Sequence, residues 1–122
     1  MFAPIFTTCT ASATLKALIG SNPVRCYPFG MAPQGVALPY VVWQSIGGRP
    51  ENYIGDTPDL DKFTLQIDAY GLTESSVRAV AKALRDIIEP VAYITAWRGE
   101  STDPDTLHKR SSFDVDWHVT RT

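Results

Sequence analysis

Between Lys62 and Tyr70 apolar and polar residues alternate without a break: Phe63, Leu65, Ile67 and Ala69 against Thr64, Gln66, Asp68 and Tyr70. A strand has a two-residue side-chain period, so this stretch predicts a strand with one face in a core and the other wet. The same alternation returns from Arg110 to Thr120, with Phe113, Val115, Trp117 and Val119 set against Ser112, Asp114, Asp116 and His118. Between the two the period changes. Val77, Val80, Ala81, Leu84, Ile87 and Ile88 fall on one helical stripe, while Arg78, Lys82, Arg85 and Asp86 lie off it. Thr73 is placed to cap that helix, Glu74 sits in its first turn, and Pro90 ends it.

The remaining elements carry weaker signals. Apolar spacing predicts one helix from Phe2 or Ala3 to Leu18, with Pro4 in its first turn and Gly20 as its stop. Thr7, Thr8, Thr10, Ser12 and Thr14 lower its intrinsic propensity, so packing has to hold it. Val24 to Tyr27, Tyr40 to Ile46 and Val91 to Arg98 read as further strands. From Tyr27 to Gly48 the chain is stiffened by Pro28, Pro33 and Pro39, which suits a fixed docking surface better than a hinge. Arg49 to Asp61 is polar and carries Pro50, Gly55 and Pro58, a long hairpin or arm in which Tyr53 and Ile54 either meet a partner or fold back. Gly99 to Leu107 reads as a polar loop. The order is α-β-β-β-α-β-β: an α+β fold with a mainly antiparallel sheet of about five strands and two helices on one face. Residues 1–122 are expected to form a single domain.

Composition narrows the function classes. Hydrophobic content of 44% with mean hydropathy near zero describes a globular chain. A formal charge of −2 without a basic block disfavours general nucleic-acid binding. No apolar run approaches the roughly 20 residues of a membrane span, and no secretory signal is visible, so synthesis in the cytoplasm is expected. The two cysteines, Cys9 and Cys26, lie outside any metal-finger spacing and read as buried thiols acting as small hydrophobes, although a disulfide stays open.

Candidate chemistry is sparse. His108 and His118 are the only histidines, neither in a ligand cluster, and no hydrolase elbow or phosphate-binding glycine motif occurs. No cofactor or metal is expected, and no residue set supports catalysis. Asp68, Asp114 and Asp116 should share the polar face of the sheet. There they form an ordinary solvated face, an acidic channel lining past which DNA slides, or a divalent-metal site. Of the tryptophans, Trp117 belongs to the core set, Trp43 is ambiguous in its side, and Trp97 lies near a strand end beside Arg98.

The wording "YPFG-x-APQG-x-ALPYVVWQ", then "RPENYIGDTPDLDKFTLQIDAYG", a helix and "WRGESTDPDTLHKRSSFDVDW", resembles the tail-completion, or tail-terminator, proteins of long-tailed bacteriophages and prophages. The likeness runs in order over nearly the whole chain. It implies a virion structural protein, made in the bacterial host cytoplasm, that caps the head-proximal end of the tail tube as a hexameric ring. Its partners would be further copies of itself, the tail tube protein and the head connector, with DNA passing through unread and no membrane involved. Interface residues are expected in the proline loop (Phe29, Met31, Gln34, Val36), the arm (Arg49, Glu51, Tyr53, Ile54) and the late loop (Arg98, Glu100, Asp103). Two competing readings are a head-closure or connector ring and, from another class, a small ligand-binding α+β domain.

Overall fold

The two alternating stretches pair with each other at the centre of a sheet. In the computed structural model, which describes residues 2–52, 54–55 and 57–121, five strands are found: β1 (Cys26–Pro28), β2 (Tyr40–Pro50), β3 (Leu60–Gly71), β4 (Tyr93–Thr102) and β5 (Lys109–Thr120). They form one sheet in the order β1-β2-β3-β5-β4. β3 and β5 run antiparallel from Leu60↔Thr120 to Gly71↔Lys109. That register sets Phe63, Leu65 and Ile67 beside Trp117, Val115 and Phe113 on one face, and Thr64, Gln66 and Asp68 beside Asp116, Asp114 and Ser112 on the other. The antiparallel majority is as expected; β1 is the exception, pairing parallel to β2 through Cys26↔Val41 to Pro28↔Trp43.

Three helices, α1 (Ile5–Thr10), α2 (Ala13–Ile19) and α3 (Glu74–Ile88), cover the apolar face. α3 is the helix the stripe predicts. Thr73 adopts an extended backbone and its hydroxyl accepts from the Ser76 amide at 3.2 Å, satisfying one of the donors a helix start leaves open. Val77, Val80, Ala81, Ala83, Leu84 and Ile88 are buried. Gly71, just before the turn into α3, is a close-approach site: a Cβ there would lie 2.8 Å from the Val77 side chain.

The single N-terminal helix expected over residues 2–18 is instead two short helices. Thr8 and Thr10 turn their hydroxyls back onto the carbonyls of Pro4 and Thr7, at 2.7 and 2.9 Å. Ser12 leaves helical geometry, with φ −99° and ψ 114°, and its hydroxyl accepts from Leu15 N at 3.1 Å. Side chains that bond the nearby backbone end one helix and start the next. Both halves still bury their apolar residues, Ile5 and Cys9 from α1 and Leu15 and Ile19 from α2.

Strand limits shift: β1 starts at Cys26 and not at Val24, β4 starts at Tyr93 and not at Val91, and β2 and β4 reach further than expected at their ends. β2 runs through Gly47-Gly48 to Pro50, with Ile46 the extra residue of a bulge between Ser45 and Gly47. At Gly48 a Cβ would stand 2.5 Å from the Lys62 carbonyl oxygen, so the glycine that looked like a strand end lets two backbones pair closely. Trp43 faces the core, opposite Ile67, and Trp117 is buried. No helix among the described residues is long and apolar enough to cross a membrane.

Phe113 is fully buried at the middle of this core. Phe113→Ala is expected to cost about 3–5 kcal/mol, and Thr73→Ala only about 1 kcal/mol, as measured by urea denaturation. A Phe113 variant no worse than the cap variant would contradict the packing described.

Candidate interaction surfaces

The proline loop, residues 29–39, leaves β1 beside Trp43 and re-enters the sheet at Tyr40. Two short turns shape it, Met31 N donating to Pro28 O at 3.0 Å and Val36 N to Pro33 O at 3.2 Å. Its far end is tied down by Arg25, whose Nε donates to Pro39 O at 3.0 Å and whose Nη2 reaches Leu18 O at 3.5 Å. Phe29 and Met31 each stand 66% exposed; Gln34 is exposed and Val36 half-buried. Two large apolar side chains are thus held out to solvent on a tethered loop. Nothing in the spacing marks Arg25, because its partners lie 7 and 14 residues away.

The arm occupies the opposite end of β2. An eleven-residue strand is roughly 35 Å long, so the arm and Tyr40 stand far apart. Arg49 and Glu51 face each other at 3.5 Å, with His118 Nε2 3.9 Å from Glu51. Ile54 is wholly exposed, while Tyr53 lies outside the described residues. The base of the arm is clasped by Arg121. Its Nε and Nη2 donate to the two Asp61 carboxylate oxygens at 2.8 Å each, its Nη1 to Pro58 O at 3.0 Å, and its backbone N to Asp59 O at 2.7 Å. The Arg121 guanidinium holds the Asp61 carboxyl below the usual aspartate range. Asp61 and Arg121 are 60 residues apart, and the sequence offers no signal that pairs them.

The late loop is shorter than expected. Arg98 lies in β4, the strand expected to end with it, and Glu100 also lies in β4 and not in the loop, because the strand continues through Gly99 to Thr102. Gly99 takes φ 101° next to a bulge in which Arg98 is the extra residue. A bulge re-aims the side chain it carries, and Arg98 Nε donates to Asp114 at 2.7 Å. Glu100 points the other way and receives two bonds from Arg78 of α3, at 2.8 and 3.0 Å. Asp103 builds the remaining turn, accepting from Asp105 N at 2.8 Å and Thr106 N at 3.2 Å. Trp97, half exposed, tilts against Phe113 with ring centroids 5.1 Å apart.

Asp68, Asp114 and Asp116 stand on the same polar face, but each has company. Asp114 pairs with Arg98, Asp116 with Lys62 at 3.7 Å and with the Thr64 hydroxyl at 2.8 Å, and Asp68 accepts from Gln66 Nε2 at 3.3 Å. Lys62 and Arg98 share the face with them, so it is mixed in charge. Among the described residues no three metal-ligating side chains converge.

With this geometry in view, the sequence matches a known family over residues 3–120, that described as tail completion protein gp17. The chain belongs to the tail completion protein gp17 family. Comparison with curated proteins gave no significant match. Several chains of solved structures share the fold. A chain of the virion of a native gene transfer agent particle superposes with a TM-score of 0.70 at 14% identity, over 95% of this chain and 91% of that one. The gp17 protein of bacteriophage SPP1 does so with a TM-score of 0.58 at 12% identity, over 95% and 86%. As a member of the tail completion family, the protein is a structural component in phage tail assembly.

The clasp at the arm of this tail-completion protein is testable by pH. Because the folded-state pKa of Asp61 is lowered, its contribution is complete above the ordinary aspartate value of about 3.9 and is lost as pH falls through the lowered value. Asp61→Asn should therefore lower the melting temperature near neutral pH, and the gap to the parent protein should close toward strongly acid pH. A gap independent of pH would mean that Arg121 does not set the role of Asp61.

Proposed function

We propose that this protein caps the head-proximal end of the tail tube as a ring of identical subunits, ends tube polymerisation and offers the surface to which the head connector joins. The observation that carries this reading is the distribution of exposed apolar side chains in a member of the tail completion family. Phe29 and Met31 on the proline loop, and Ile54 on the arm, are among the large apolar side chains exposed on a body many of whose charges are paired within the subunit. Large apolar groups held on tied-down loops fit partner contacts.

A ring uses heterologous contacts, one patch meeting a different patch on the next copy, and closure sets the number of subunits. Six is the number the resemblance suggests. The loop next to Asp103 and the arm lie at opposite ends of the sheet, which suits contacts with the tube on one side and the connector on the other. DNA would pass the ring opening without being read, and the mixed charge of the polar face offers it neither a basic track nor a specific cradle. Assembly would take place in the host cytoplasm before the virion is complete.

Deleting the gene from its phage or prophage and imaging the lysate by negative-stain microscopy tests this directly. DNA-filled heads beside separate tails of irregular or excessive length are expected. Normal-length tails beside heads that have lost their DNA would replace this reading with head closure, and complete infectious particles would sink both. In the same assay a Phe29→Ala, Met31→Ala, Ile54→Ala variant should keep its stability within about 0.5 kcal/mol. It should form completed particles at least about 30-fold less well, the effect of losing about 2 kcal/mol of contact energy.

A further inference from the structure

The surfaces described above leave one pair of reactive groups unused. Cys9 on α1 is fully buried and Cys26 on β1 is 3% exposed. Both are free thiols, with Sγ atoms 3.8 Å apart. A disulfide holds its sulfurs at about 2.05 Å, so closing the pair would bring the two sulfur atoms nearer by roughly 1.8 Å. Their mutual hydrogen bond and burial raise the pKa of Cys9, and a thiol is a weak nucleophile until it loses its proton. Closed, the pair resists oxidation. α1 is a six-residue helix whose N-cap, Pro4, makes no side-chain bond; a helix this short is marginal without its packing, and local opening of α1 is the route by which an oxidant would reach the pair.

We propose that Cys9 and Cys26 are an intramolecular disulfide site that stays reduced during synthesis and closes when the finished particle meets small-molecule disulfides outside the cell. One cysteine thiolate attacks a sulfur of the external disulfide, forming a mixed disulfide and expelling one thiolate. The second cysteine then attacks the protein-side sulfur and expels the other. Two protein thiols are oxidised to one disulfide, one external disulfide is reduced to two thiols, and the two cysteine protons pass to the released thiolates or to water. The bond would staple α1 to β1, whose last residue, Pro28, opens the proline loop. The timing rests on the virion role of the protein; the chemistry does not depend on the ring reading.

The test uses the full chain, purified reduced and then incubated with glutathione disulfide at neutral pH. Trypsin cuts after Lys16, Arg25 and Lys62 but not at Arg49, which precedes Pro50, so non-reducing digestion should give residues 1–16 linked to residues 26–62. The oxidised protein should melt about 10 °C higher than the reduced one, the size expected for closing a loop of this length. Cys9→Ala should remain folded and show neither the linked peptide nor the shift. Oxidation only after unfolding, two separate glutathione adducts, chain-to-chain links, a lower melting temperature, or the same shift in Cys9→Ala would each overturn the proposal.

Discussion

The pairing of β3 with β5 is the constraint on which the remaining structure depends. It runs unbroken from Leu60↔Thr120 to Gly71↔Lys109, and both strands alternate in phase. A slip of one residue in β5 would carry Phe113, Val115 and Trp117 to the polar face and bring Asp114 and Asp116 under the helices. Burying two unpaired carboxylates while exposing three large apolar groups is prohibitive, so the alternating pattern itself excludes every slip by an odd number of residues. β2 and β4 then add on either side, and α3 lays its stripe across the finished apolar face. The bulges are confined to the pairings of β2 with β3 and β4 with β5, where a displaced residue costs the centre nothing.

What could be read in the sequence follows from the same fact. β3, β5 and α3 were legible because each announces itself through its own period, and the Thr73 cap through its own residue type. The break at Ser12 was not, since apolar spacing carries on across it while competition from hydroxyl groups decides the geometry. Gly47-Gly48 and Gly99 resembled strand ends because glycine more often stops a strand than lets it bulge or pass close to a neighbour. Partly for that reason, Arg98 looked like the last residue of its strand and Glu100 like a loop residue. Their partners, Asp114 and Arg78, could be known only once β4 had found its place beside β5 and α3. The family resemblance was legible in word order, which needs no contacts at all.

The surfaces divide their work in a way that composition conceals. With 11 basic and 13 acidic residues the chain looks evenly charged, yet several carboxylates, some of them expected to act outward, are engaged within the subunit. Asp61 clasps Arg121, Glu100 holds Arg78, Asp114 holds Arg98, and Asp103 builds its own turn. Exposed ion pairs contribute little to stability one by one; their effect here is to fix the positions of backbone segments. Large apolar groups on the proline loop and at the tip of the arm stay exposed, and the proposed contacts would use them.

The brace at the arm also bears on kinetics and fit. A long loop that was free to move would have to surrender that freedom on meeting a partner, and each ordered side chain and segment would subtract from the affinity. Here β5 follows β3 out to Leu60, and the Arg121 clasp ties Pro58, Asp59 and Asp61 together before any encounter. The stretch leading to Ile54 is therefore anchored in advance, like a tenon cut before the joint is closed. In the proposed ring such prepayment would be repeated at every subunit, so a modest saving per arm would multiply around the whole structure.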